Sequence, residues 1–240
     1  MISKRMSEKL NAGSMIRKMF EEGNRLKKIF GEENIFDFSI GNPDLEPPAE
    51  VTLELMNLIN HPTPGMHGYM SNNGYLSTRN AVADKLTRSG NTTFSPDAIC
   101  MTVGAAGAMN ATLRAILDPD DEVILLAPFF MEYRQYIDNH FGKAVIVATD
   151  EGSFLPNIDR IAAAITPRTK AIIINSPNNP SGTMYPVSTL ESINNLVNSY
   201  EQVIHIISDE PYRELVYDGQ SVPPTQDYID NLIICYSWSK

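Results

Sequence analysis

From residue 97 onward the sequence alternates short apolar runs with longer stretches of helical spacing, and that alternation leaves few folds open. The runs are AICMTV, DEVILLA, AVIVA, KAIIIN, VIHIIS and LIICYS; among them lie AGAMNATLRAIL, FFMEYRQYIDNH, NIDRIAAAI and VSTLESINNLVNSY. Strands that read as continuous Val, Ile and Leu are strands covered on both faces, and the intervening helices supply the cover. The pattern predicts an α/β fold, a mostly parallel sheet sandwiched by helices. Ligands of such sheets bind beyond the carboxyl ends of the strands, so the residues directly after each run are the informative ones.

Upstream of the alternation, Ile16, Met19, Phe20, Leu26, Ile29 and Phe30 recur at helical spacing, interrupted by Gly23, and predict one or two amphipathic helices. IFDFSI alternates as a short strand and runs into the turn-rich loop GNPDLEPP. Further helices are expected over 48–60 and 76–89, the second stopped by Gly90. A chain of 240 residues with 42% hydrophobic content suits one large domain or two small ones. Its 19 basic against 29 acidic residues, a net charge of −10, argue against a nucleic-acid partner. Cys100 and Cys235 both lie in apolar runs and are expected as buried small hydrophobes, neither disulfide nor metal ligand, which fits a reducing cytoplasm. No apolar run approaches the roughly 18 residues of a membrane span, and MISKRMSEKL lacks the apolar core of a signal peptide. The strand-like LIICYS runs almost to Lys240, and a native domain rarely stops at a core strand, so a truncation at Lys240 is expected.

Each strand end carries a feature with two readings. Gly104, Ala105 and Ala106 open a helix whose backbone N–H groups suit an anion, or they form a tight turn. Phe129, Phe130 and Tyr133 either stack on a planar ring or fill the core. The loop SPNNPSGT places two amides, Asn178 and Asn179, after a buried strand, where a plain turn accounts only for its Pro and Gly. Asp209, closing VIHIIS, requires a cation or several donors if buried, or else caps a turn. Lys240 is a desolvated nucleophilic amine or a solvated surface group.

In this order GAAGA, PFFxxY, SPNNPSGT, SDEPY and SWSK, preceded by IGNPDLEPP and GYMSNNGYLSTRNAVADKL, strongly resemble the pyridoxal-phosphate-dependent aminotransferases of fold type I, class I/II. The resemblance spans nearly the whole chain. It implies that Lys240 forms the internal aldimine with pyridoxal 5′-phosphate, that Asp209 partners the pyridine nitrogen, and that Tyr212 and Asn179 bond the phenolic oxygen. It implies Phe130 as the stacking ring, and Gly104, Ala105, Ala106 and the Ser237 hydroxyl as the phosphate cup. Tyr69 matches a tyrosine that reaches the phosphate of the neighbouring subunit, which implies a homodimer; Gly41 and Asn179 fall where the family binds substrate. Phe130 in place of Trp, and Ala105 and Ala106 in place of hydroxyl residues, depart from the pattern.

The implied organisation is an N-terminal helical segment over 1–33, part of a small domain or dimer arm, and a cofactor-binding large domain over 34–240. The C-terminal small domain and its substrate-carboxylate arginine would lie past Lys240. The implied reaction moves an amino group from an L-amino acid, aspartate first, to a 2-oxo acid such as 2-oxoglutarate. A carbon–sulfur β-lyase built on the same residues, and a non-catalytic cofactor-binding regulator, are the alternatives.

Overall fold

The computed structural model describes residues 2–4, 6–7, 15–38 and 45–240. The chain divides into two compact units, Met1–Met66 and His67–Lys240.

In the first unit, helix α1 spans Met15–Phe30 and runs unbroken through Gly23. A side chain there would meet the Asp37 carboxylate at 2.8 Å, and Asp37 pairs with Lys27 at 3.3 Å. Gly23 thus admits a neighbour and does not divide the helix, as the sequence had suggested it might. Lys27 and Lys28 sit in the last turn, where they complement the helix dipole. Residues 35–38, the described part of the expected strand IFDFSI, are not in a strand; Ile35 and Asp37 are half-buried there and Phe36 and Phe38 exposed. Alternation is present there, but among the described residues the first strand begins only at Glu122. Helix α2 follows over Ala49–Asn60.

The second unit opens with α3 (Leu76–Arg88), which buries Arg79, Ala83 and Leu86. The expected strand AICMTV does not form: residues 99–102 run extended, and the Met101 amide donates to the Asn73 carbonyl of a turn. Cys100 within it is exposed, against expectation, while Cys235 is buried; both thiols are free. An apolar run becomes a strand only where a neighbouring strand takes up its backbone groups, and this one has a loop beside it.

The other five runs are strands: β1 (Glu122–Ala127), β2 (Lys143–Ala148), β3 (Thr169–Asn175), β4 (His205–Asp209) and β5 (Leu232–Cys235). They pair in parallel in the order β2-β1-β3-β4-β5. Between them come α4 (Gly104–Ile116), ahead of β1, then α5 (Glu132–Asn139), α6 (Ile158–Ala164) and α7 (Val187–Asn198).

Period-two alternation divides the buried apolar strand residues between two cores. Ile124, Leu126, Ile172, Ile174 and Ile206 pack with Ile161 of α6 and Leu190, Ile193 and Val197 of α7. Val123, Leu125, Ala171, Ile173, Ile207 and Cys235 pack with Met109 and Leu113 of α4 and Tyr133 and Ile137 of α5. Both faces are apolar because both are covered. The parallel sheet brings all carboxyl ends to one edge, and the strand order reverses between β1 and β3, which opens a crevice there.

Candidate active site at the carboxyl ends of the strands

The sheet register sets Asn175, Asp209 and Cys235 side by side at the ends of β3, β4 and β5. By parity with Ile173 and Ile207 they face the α4/α5 layer, where Tyr133 lies. Asp209 is 7% exposed. The buried Tyr133 hydroxyl donates to its Oδ2, while its Oδ1, also buried, has no partner among the described residues. Burial pushes the Asp209 carboxyl up to about 6, the Tyr133 hydrogen bond opposes that rise, and the Glu210 charge adds to it. A half-satisfied buried carboxylate is costly, and its free oxygen is a place for a donor from outside the chain.

A continuous set of contacts extends from this carboxylate. The Phe130 ring meets Tyr133 edge to face, with centroids 5.6 Å apart. The Asn175 side chain donates to the Asp209 carbonyl at 2.8 Å and accepts from the Asn179 amide at 2.6 Å, which ties the loop after β3 to the end of β4. That loop is itself a closed turn. Asn178 Oδ1 accepts from the Ser181 amide and hydroxyl, and the Gly182 amide, at φ +73°, donates back to the Asn178 carbonyl. The loop presents the Asn179 amide group, whose Nδ2 donates to the Tyr212 hydroxyl oxygen at 3.1 Å. Four sequence-predicted residues, Phe130, Asn179, Asp209 and Tyr212, are therefore joined into one set.

Two members of the set were not among the predicted site residues. Tyr133 was visible in the aromatic cluster, but its assignment depends on a carboxylate 76 positions away. Asn175 was hidden as the last letter of an apolar run.

Of the other predicted residues, Gly104, Ala105 and Ala106 open α4. Gly104 has φ +67°, a Cβ there would meet nothing within 4 Å, and its amide donates to the Thr102 carbonyl at 3.0 Å. Ala105 is half-buried and Ala106 exposed. Ser237 is buried, with its Oγ 2.8 Å from Ser239 Oγ and accepting from the Ser239 amide at 3.1 Å. Lys240, three residues on, is exposed, and Tyr69 is fully exposed in the second unit. Gly41 lies outside the described residues. Among the described residues, no group of three or more His, Cys, Asp or Glu is placed to hold a metal ion.

Fold and site together define a parallel α/β domain with an acidic residue, an aromatic ring and a bonded amide–phenol pair near the carboxyl ends of its strands. Residues 33–240 match the sequence model of the family "Aminotransferase class I and II", and the chain belongs to that family, of fold type I. It is 36% identical to an aspartate/prephenate aminotransferase of Thermus thermophilus, over 77% of this chain and 47% of the relative. It is 30% identical to an aspartate aminotransferase of Thermotoga maritima, over 100% of this chain and 62% of the relative. The crystal structure of an amino transferase from Eubacterium rectale superposes on 100% of this chain and 62% of its own, with a TM-score of 0.93 and 38% identity. The chain spans about half the length of the first curated relatives it matches.

Proposed function

We propose that this chain is the cofactor-binding portion of an aminotransferase that moves an amino group from an L-amino acid to a 2-oxo acid on pyridoxal 5′-phosphate. Aspartate is the first donor, a choice supported by relatives named for aspartate, and 2-oxoglutarate is the first acceptor. The observation that carries the reading is the free buried Oδ1 of Asp209. A protonated ring nitrogen is a cationic N–H donor, and placed against Oδ1 it satisfies the unpaired oxygen and favours the ionised carboxylate together.

When bound, the cofactor supplies an electron sink for the bond broken at the substrate α carbon. The chain's own groups do the rest. Asp209 holds a proton on the ring nitrogen. The Tyr212 hydroxyl and Asn179 Nδ2, already bonded to each other, are set to donate to a single phenolic oxygen. Phe130 covers a ring face, braced by its edge contact with Tyr133. The amides of Ala105 and Ala106, at the N-terminus of the 13-residue α4, together with the Ser237 hydroxyl, take the phosphate, joined by the Gly104 amide if it leaves the Thr102 carbonyl. The Lys240 amine anchors the cofactor and carries the proton to and from the α carbon. The exposed Tyr69 serves the phosphate bound by the partner in a cytoplasmic homodimer.

The test is to incubate the protein with pyridoxal phosphate, aspartate and 2-oxoglutarate and to measure oxaloacetate and glutamate. Equal amounts of both products, strictly dependent on the acceptor, support the reading. Pyruvate and ammonia released from cysteine or cystathionine without any acceptor would instead establish a β-lyase.

A further inference from the structure

Directly after Asp209 the chain carries a second buried carboxylate, which has no task in the reading above. Glu210 is 1% exposed. Its Oε1 accepts from Ser208 Oγ at 2.7 Å and its Oε2 from Arg213 Nη1, also at 2.7 Å; the Arg213 side chain is itself only 10% exposed. Like charges in a shared low-dielectric site disfavour each other's ionisation, so an unpaired Glu210 would work against Asp209. Pairing across three residues also closes the turn over 211–214 that carries Tyr212. The Leu215 amide donates to the Tyr212 carbonyl at 2.9 Å within that turn.

We propose that Arg213 is a positioning residue for the cofactor site: by pairing with Glu210 it sets Tyr212 against Asn179 and shields Asp209 from a like charge. The inference rests on the reading that Asp209 meets the ring nitrogen. Other titratable groups face Asp209 from the elements around it. Tyr133 and Tyr136 of α5 are held above the ordinary phenol range by burial, and burial pushes Cys235 of β5 up to about 12, so all three are neutral below pH 8. The Tyr212 hydroxyl lies on the turn itself. Among the described residues, Glu210 is then the charged group that raises Asp209, and Arg213 is the partner of Glu210.

The experiment measures the affinity of the protein for pyridoxal phosphate by equilibrium dialysis from pH 5 to 8, with denaturation curves run alongside. Arg213→Met is expected to raise the pH of half-maximal affinity by roughly one unit, which weakens binding roughly tenfold at pH 5 and roughly twofold at pH 7. Glu210→Gln, which leaves the guanidinium unopposed, is expected to lower that midpoint, and it serves as the second variant should Arg213→Met not fold. The double variant is expected to return close to the wild-type midpoint, and Arg213→Lys to keep it. Affinity reduced by one factor at every pH, and not restored by adding Glu210→Gln, would overturn the proposal, as would unshifted midpoints in both single variants. Asp209→Asn separates the two readings. If pH dependence survives Asp209→Asn, the assignment of Asp209 itself falls; if it vanishes there but ignores Arg213→Met and Glu210→Gln, the Arg213 inference alone falls.

Discussion

Asp209 is a group whose stability cost and function are set against each other, and the cost is measurable. Its carboxyl rises from the ordinary 3.8 to about 6, first because burial strips its water. Between those two values the folded protein holds a proton that the unfolded chain has released. Stability therefore falls as pH rises through the window and levels off above about 6. At 1.36 kcal/mol per pKa unit the gap corresponds to an upper value of about 3 kcal/mol lost by pH 7. Asp209→Asn removes the charge and keeps an oxygen for the Tyr133 hydroxyl, but leaves its own N–H groups where the unpartnered Oδ1 stands. That residual penalty brings the expected gain of the variant at pH 8 down to about 1–2 kcal/mol.

Urea denaturation of the cofactor-free proteins from pH 4.5 to 8, at fixed salt, reads this directly. The wild type should weaken from pH 4.5 to 6, and the variant should not. Saturating pyridoxal phosphate should reverse the ranking, because a ring N–H pairs with a carboxylate far better than with an amide. Curves that run parallel across the range would refute the claim that Asp209 is held ionised against its surroundings.

Tyr133→Phe deletes the donor to Oδ2, and since hydrogen bonds to charged groups are worth about 1.5–3 kcal/mol, cofactor affinity at pH 7 should fall roughly tenfold to a hundredfold. Equilibrium dialysis that finds wild-type affinity would remove Tyr133 from the site. Gly104→Ala places a methyl in open space but at φ +67°, so its cost is backbone strain alone, about 1–2 kcal/mol in a denaturation experiment. A loss below about 0.3 kcal/mol would show that the turn adopts another conformation. Lys240→Ala should abolish transamination and leave the urea midpoint unchanged, because the exposed side chain supports no core. Turnover at the wild-type rate would end the assignment of that amine.

How far the sequence discloses this site depends on what each residue touches. The five strands were readable because their cores lie on both faces, which forces Val, Ile and Leu at consecutive positions. The same rule produced the error at residues 99–102, since an apolar run records burial and says nothing about whether a strand lies alongside. Ile99 is buried there and Cys100 is exposed, a pattern that an extended segment resting on one surface also yields. Asp209, Asn179, Tyr212 and Phe130 were legible as polar or aromatic residues placed where a parallel sheet presents its ligands. Asn175 was not, because an amide at the end of KAIIIN gains meaning only from its register partner on β4.

Glu210 and Arg213 lie between these cases. Their three-residue spacing is plain in DEPYR, but only burial turns an ordinary surface pair into a constraint on the neighbouring carboxylate. What the sequence withholds is thus the depth at which each charge sits. Depth decides whether Asp209 is a cap, a stabilising group, or a carboxylate kept under tension for a cation the chain does not itself supply.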